Sequence, residues 1–93
     1  MSLIRERRTP PESLGPMLRA ARERAGLGVR EAARRTGLSS GYMANLEAGG
    51  RCPSRTVAER LAAVLELDDD EQAQLYGAAV TDAGRDHPAR TAA

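Results

Sequence analysis

Few side chains in this sequence are of a kind that does covalent chemistry. Cys52 is the single cysteine and His87 the single histidine, and the two lie far apart in the chain. With no second cysteine and no base beside it, Cys52 predicts neither a zinc site nor an activated thiol. The run Asp68, Asp69, Asp70, Glu71 has the look of a cation site. However, Asp68 and Glu71 are spaced as a helix capping box, and acids are favoured at a helix N-terminus, so capping explains the run without a metal. No two residues make an acid–base couple, so no enzyme is expected, and no cofactor or metal is implied. Hydrogen bonding and charge remain. Ser39, Ser40, Tyr42, Asn45, Arg51 and Arg55 all fall within the stretch SSGYMANLEAGGRCPSR.

Charge is distributed unevenly along the chain. The formal net charge is only +1, yet residues 1–56 hold eleven arginines against five acids, a net of +6. Residues 57–93 hold three arginines against eight acids, a net of −5. A basic front and an acidic back suit a domain that turns one face to a polyanion.

The elements that must carry these groups are short helices. Ninety-three residues make one domain with a modest core. Two tyrosines are the only aromatic residues, so the core must come from Leu, Val, Met and Ala. β-Branched residues never alternate with polar ones over a usable run, and no strand is expected. The longest apolar run is too short for a membrane span, and no apolar stretch follows the charged N-terminus as in a secretory signal. A lone cysteine forms no internal disulfide, which points to the cytoplasm.

Residues 1–12, ending in Pro10-Pro11, predict an extended basic arm. A first helix begins near Ser13 to Gly15, accepts Pro16 in its first turn, and repeats Leu14, Met17, Leu18, Ala21 and Ala25 on one face until Gly26 stops it. A second, Val29 to Thr36, ends at Gly37 in the left-handed conformation. A third starts after Ser39 and runs to about Ala48. A fourth, Arg55 to Glu66, shows an apolar stripe of Val57, Leu61, Val64 and Leu65. A fifth, about Asp69 to Ala79, buries Leu75. The domain is expected over 13–80, and residues 81–93 are polar and Gly/Pro-broken, as in a disordered tail.

Residues 29–48, VREAARRTGLSSGYMANLEA, fit a helix-turn-helix. Ala33 is small where two steeply crossing helices touch, and Gly37 allows the tight turn. Met43 and Leu46 anchor the second helix on one face, leaving Ser39, Ser40, Gly41 and Asn45 on the other. Glu47 reads as a structural ion pair, because an acid facing phosphate repels it. Arg34 and Arg35 read as a solvated helix face.

With flanking helices in the right order, these residues resemble the Cro and phage-repressor type of helix-turn-helix family, the xenobiotic-response-element family. LGPMLRAARERAGL is similar to its first helix, REAARRTGLSSGYMANLEAG to its bihelical core, and CPSRTVAERLAAVLEL to its fourth helix. The resemblance spans roughly residues 14–80 and implies an all-α, five-helix bundle of the lambda-repressor-like type. It implies sequence-specific binding of double-stranded DNA by a transcriptional regulator, a repressor acting as a homodimer on an inverted repeat at the bacterial nucleoid. By this resemblance Ser39, Ser40, Gly41 and Asn45 match positions that reach base edges, and Asn pairs bidentately with adenine. Arg30, Tyr42, Arg51 and Arg55 match phosphate-contacting positions, although for Tyr42 packing against the second helix is an equal alternative. Gly28 and Val29 stand where the family usually has a Ser or Thr cap and a phosphate-binding Gln.

Three alternatives stay open at this level. The same fold serves regulators controlled by a protein partner, such as antitoxins, and interaction modules that have lost DNA binding. Arg5, Arg7 and Arg8 suit either a minor-groove arm or a solvated tail. Self-association is expected through the fifth helix, around Leu75, Tyr76 and Val80.

Overall fold

The structure, a computed structural model, describes residues 9–81, so the expected arm and tail lie outside it except for residues 9–12 and Thr81. Five helices follow one another: α1 (Leu14–Arg24), α2 (Val29–Thr36), α3 (Ser40–Glu47), α4 (Arg55–Val64) and α5 (Asp69–Ala78). Among the described residues there is no strand, only one isolated parallel bridge between Ser54 and Val80. None of these helices is long and apolar enough to cross a membrane.

Most boundaries follow from local chemistry. Ser39, Ser54 and Asp68 cap α3, α4 and α5, each side chain accepting the backbone N–H three residues on. At the start of α5 the box is complete, since the Asp68 N–H donates to Glu71 Oε1 while the Glu71 N–H donates to Asp68 Oδ1. Gly37 closes α2 with φ +75°, and the Leu38 N–H donates to the Ala33 carbonyl at 2.8 Å.

Three details differ from the sequence expectation. Helix α4 ends at Val64, not Glu66, because the chain turns left-handed at Glu66, with φ +52°. The Leu67 N–H then reaches back to the Ala62 carbonyl at 3.1 Å, which returns Leu67 to the interior. With that register the face of α4 wholly in the core is Ala58, Leu61, Ala62 and Leu65, while Val57 and Val64 are half-buried at its edge. On α1 the buried face stops at Ala21; Ala25 is exposed because the helix has ended and the chain turns at Gly26. Leu75 is completely buried and offers no surface for self-association, and Tyr76 and Val80 are half-buried.

The core is aliphatic, built on leucines from α1, α3, α4 and α5 with Met43 and a row of alanines between them. Alanine where helices meet lets short elements approach closely, which offsets the missing aromatic volume. Thr36 is buried without cost to hydrogen bonding, its hydroxyl donating to the carbonyls of Ala32 and Ala33.

One charged contact ties the first helix to the last. Arg24 grips Glu71 with both terminal nitrogens, at 2.8 and 2.9 Å. The guanidinium, with the Asp68 N–H as second donor, holds the Glu71 carboxyl down to about 2 from its ordinary 4.5. A depressed carboxylate stabilises the fold above the unfolded-state pKa and loses that contribution as pH falls through the folded one. The melting temperature is therefore expected to fall between pH 4.5 and about 2 as Glu71 protonates. Glu71→Gln is expected to melt lower at neutral pH and to show a flatter acid limb in pH-dependent thermal denaturation. An unchanged acid limb would remove Glu71 from that account.

Candidate functional site

Helix α3 is held from one side. Met43 and Leu46 are fully buried, and Ala33 of α2, 1 % exposed, lies where the two helices pack. The opposite side is open, with Ser39, Ser40, Gly41, Ala44, Asn45 and Ala48 all exposed. The four residues assigned to base contact from the sequence thus share the exposed side of α3 and its cap.

Two further features fix the far end of α3, and the sequence reading missed one of them. Gly15 of α1 packs directly on the last turn of α3: a β-carbon there would collide with the Glu47 carbonyl and lie 3.3 Å from the Leu46 carbonyl oxygen. A glycine inside a helix costs about 1 kcal/mol relative to alanine and usually marks a close approach, which was the available signal. The second feature is the ion pair expected of Glu47. Arg22 Nε and Nη2 donate to the two carboxylate oxygens at 2.6 and 3.0 Å, with side chains only 11 % and 10 % exposed. The remaining Arg22 nitrogen, Nη1, donates to the Leu27 carbonyl, so one guanidinium joins α1, the α1–α2 turn and α3. The Glu47 hydrogen bonds raise the Arg22 pKa further despite burial, keeping it charged.

Individual candidate side chains are placed differently from one another. The Ser39 hydroxyl oxygen accepts the Tyr42 N–H at 3.0 Å, leaving its proton to donate elsewhere. Asn45 is exposed, but its carboxamide folds back over Gly50, where a β-carbon would lie 2.8 Å from Cγ. Around Gly41 the space is open: the nearest atom to a β-carbon would be Ser39 Oγ at 4.0 Å, and its φ is not positive. Neither packing nor backbone conformation requires that glycine.

The arginines sort into two groups. Arg19, Arg22, Arg24, Arg34 and Arg35 pair with carboxylates. Among the described residues Arg30, Arg51, Arg55 and Arg60 have no carboxylate partner, and all four are exposed. Three of these are the arginines matched to phosphate contact from sequence. Arg30 lies in the first turn of α2, whose cap Gly28 supplies no side-chain acceptor to the amides there. Arg51 lies between α3 and α4, over the Tyr42 ring at 4.2 Å from its centroid. Arg55 opens α4, 5.9 Å from the Tyr76 ring centroid. Arg60, the fourth, was not singled out in the sequence; its Nη1 lies over the α2–α3 turn, 3.1 Å from where a Gly37 β-carbon would be. Arg34 and Arg35 converge on Glu31, which neutralises part of their charge and lowers the Glu31 pKa.

No group of three or more His, Cys, Asp or Glu residues gathers for a metal among the described residues. The arrangement instead offers an open helix face beside uncompensated positive charge. Residues 13–75 match a family model described as a helix-turn-helix domain, a family related to the xenobiotic-response-element type. No curated protein matches the chain.

The contact at Gly15 makes a stability prediction. Gly15→Ala raises helix propensity, yet its methyl group must push against backbone that has little room to move. A net destabilisation of about 1–3 kcal/mol is expected, the usual cost of overpacking. Urea denaturation reads it, and a gain of stability would show that α1 and α3 can separate freely.

Proposed function

This chain belongs to the helix-turn-helix domain family, and on that premise we propose that it is a transcriptional regulator that binds double-stranded DNA sequence-specifically. Helix α3 enters the major groove, with Ser39, Ser40, Gly41 and Asn45 at base edges. Arg30, Tyr42, Arg51 and Arg55 line the phosphate backbones on either side. The observation that carries this reading is the pairing of an open α3 face with exposed arginines that no carboxylate compensates. The bare first-turn amides of α2 supply a second anion-binding element where the family's glutamine is missing.

One short reading helix makes too few contacts for tight specific binding. The proposed regulator therefore acts as a homodimer on an inverted repeat, its two recognition helices about 34 Å apart in successive major grooves. It represses transcription by occupying that site, and its working place is the cytoplasm.

Titration of labelled duplexes at several salt concentrations tests the electrostatic part. The log–log slope is expected near −0.9 per phosphate neutralised, and Arg51→Ala or Arg55→Ala is expected to make it shallower by about one. A flat salt response would end the DNA-binding reading.

Gly41 gives a sharper test, because fold and function pull in opposite directions there. Gly41→Ala fills open space and is expected to stabilise the protein by about 0.5–1 kcal/mol. The same methyl group stands between the α3 backbone and a base edge, so affinity for a duplex selected from a random pool is expected to fall. Improved melting with undiminished specific binding would show that α3 does not approach the groove at Gly41.

A further inference from the structure

We propose that Tyr42 and Tyr76 are positioning residues, each holding one of the two arginines of the α3–α4 connection ready for a duplex phosphate. The inference rests on the duplex-binding reading above. Tyr42 and Tyr76 are the only aromatic residues in the chain. Neither is spent on the interior of the core; both are half-buried at its edge, with a guanidinium over the ring. The separations, 4.2 Å for Arg51 on Tyr42 and 5.9 Å for Arg55 on Tyr76, fall within the reach of about 6 Å for a cation–π contact.

The chemistry explains why a ring serves here better than an acid. A carboxylate would orient the guanidinium but would also cancel the charge that a phosphate needs, as Glu31 does for Arg34 and Arg35. An aromatic face holds the plane of the guanidinium through its weak negative potential and leaves the N–H edges pointing outward. The rings are themselves fixed from below. The Tyr42 N–H donates to the Ser39 cap and its side chain packs on the core, while Tyr76 is set by α5 beside the buried Leu75. A pre-oriented arginine loses less conformational freedom when it meets its phosphate.

A double-mutant cycle on the full chain separates this role from others. Affinity for a duplex selected by the wild-type chain is measured by fluorescence anisotropy for Tyr42→Leu, Tyr42→Phe, Arg51→Ala and the Tyr42→Leu/Arg51→Ala double variant, with thermal melts alongside. Tyr42→Leu is expected to weaken binding about two- to fivefold, Tyr42→Phe to leave it unchanged, and the Leu effect to vanish once Arg51 is gone. The parallel cycle for Tyr76 and Arg55 is expected to show smaller coupling, because that pair is farther apart. A loss in Tyr42→Phe equal to that in Tyr42→Leu would overturn the proposal and make the hydroxyl a direct contact. A Leu effect that persists in the Arg51→Ala background would also overturn it, leaving the ring a packing element. Failure of the wild-type chain to bind any duplex is a different result, and it would remove the duplex-binding reading and this proposal together.

Discussion

The end of α3 is fixed by a charge pair that water hardly reaches. A buried ion pair seldom adds much net stability, because desolvating both charges offsets most of their attraction, but it tolerates very few alternative geometries. Arg22 uses its three nitrogens on Glu47 and the Leu27 carbonyl, so any rotation of α3 about its own axis breaks a bond to a desolvated charge. Gly15 sets the distance at the same end, backbone against backbone, and Met43 and Leu46 set which side faces inward. Together these contacts determine which face of an eight-residue helix is left open. Helix propensity alone would not hold so short a segment.

Around that constraint the chain divides its charges. Acids are placed where they hold structure: Glu47 on Arg22, Glu71 on Arg24, Glu31 on Arg34 and Arg35. The arginines near α3 and at the starts of α2 and α4 have none. Net charge hides this arrangement, since a protein of +1 can still present a local field when its acids are occupied elsewhere. The two aromatic rings follow the same division, kept out of the core interior and set beneath positive charge.

Much of this was legible in the residues because the signals were local. Caps at Ser39, Ser54 and Asp68, the turn at Gly37 and the inward Met43 and Leu46 depend on neighbours within a turn or two. What escaped depends on distant parts of the chain or on an unusual residue in a usual role. Glycine commonly takes the left-handed position that ends a helix, and Glu66 takes it at the end of α4, so the expected helix ran on. The stripe on α4 was read through its larger valines, whereas alanines occupy the tightest contacts. Gly15 looked like part of a helix start until α3 was seen against it. The guanidinium–ring contacts join residues nine and twenty-one positions apart, with no periodicity to announce them.

The bridge between Ser54 and Val80 has a consequence for how the molecule comes apart. The Val80 carbonyl accepts the Arg55 N–H and the Val80 N–H donates to the Pro53 carbonyl, both at 2.9 Å. Residues that follow a last helix commonly fray at almost no free-energy cost, independently of the rest. Here the departure of Val80 strips an acceptor from the first turn of α4, next to the connection that carries Arg51. Opening of the segment after α5 is thereby coupled to the hydrogen-exchange protection of α4, and the cooperative unit extends to a stretch that would otherwise breathe alone.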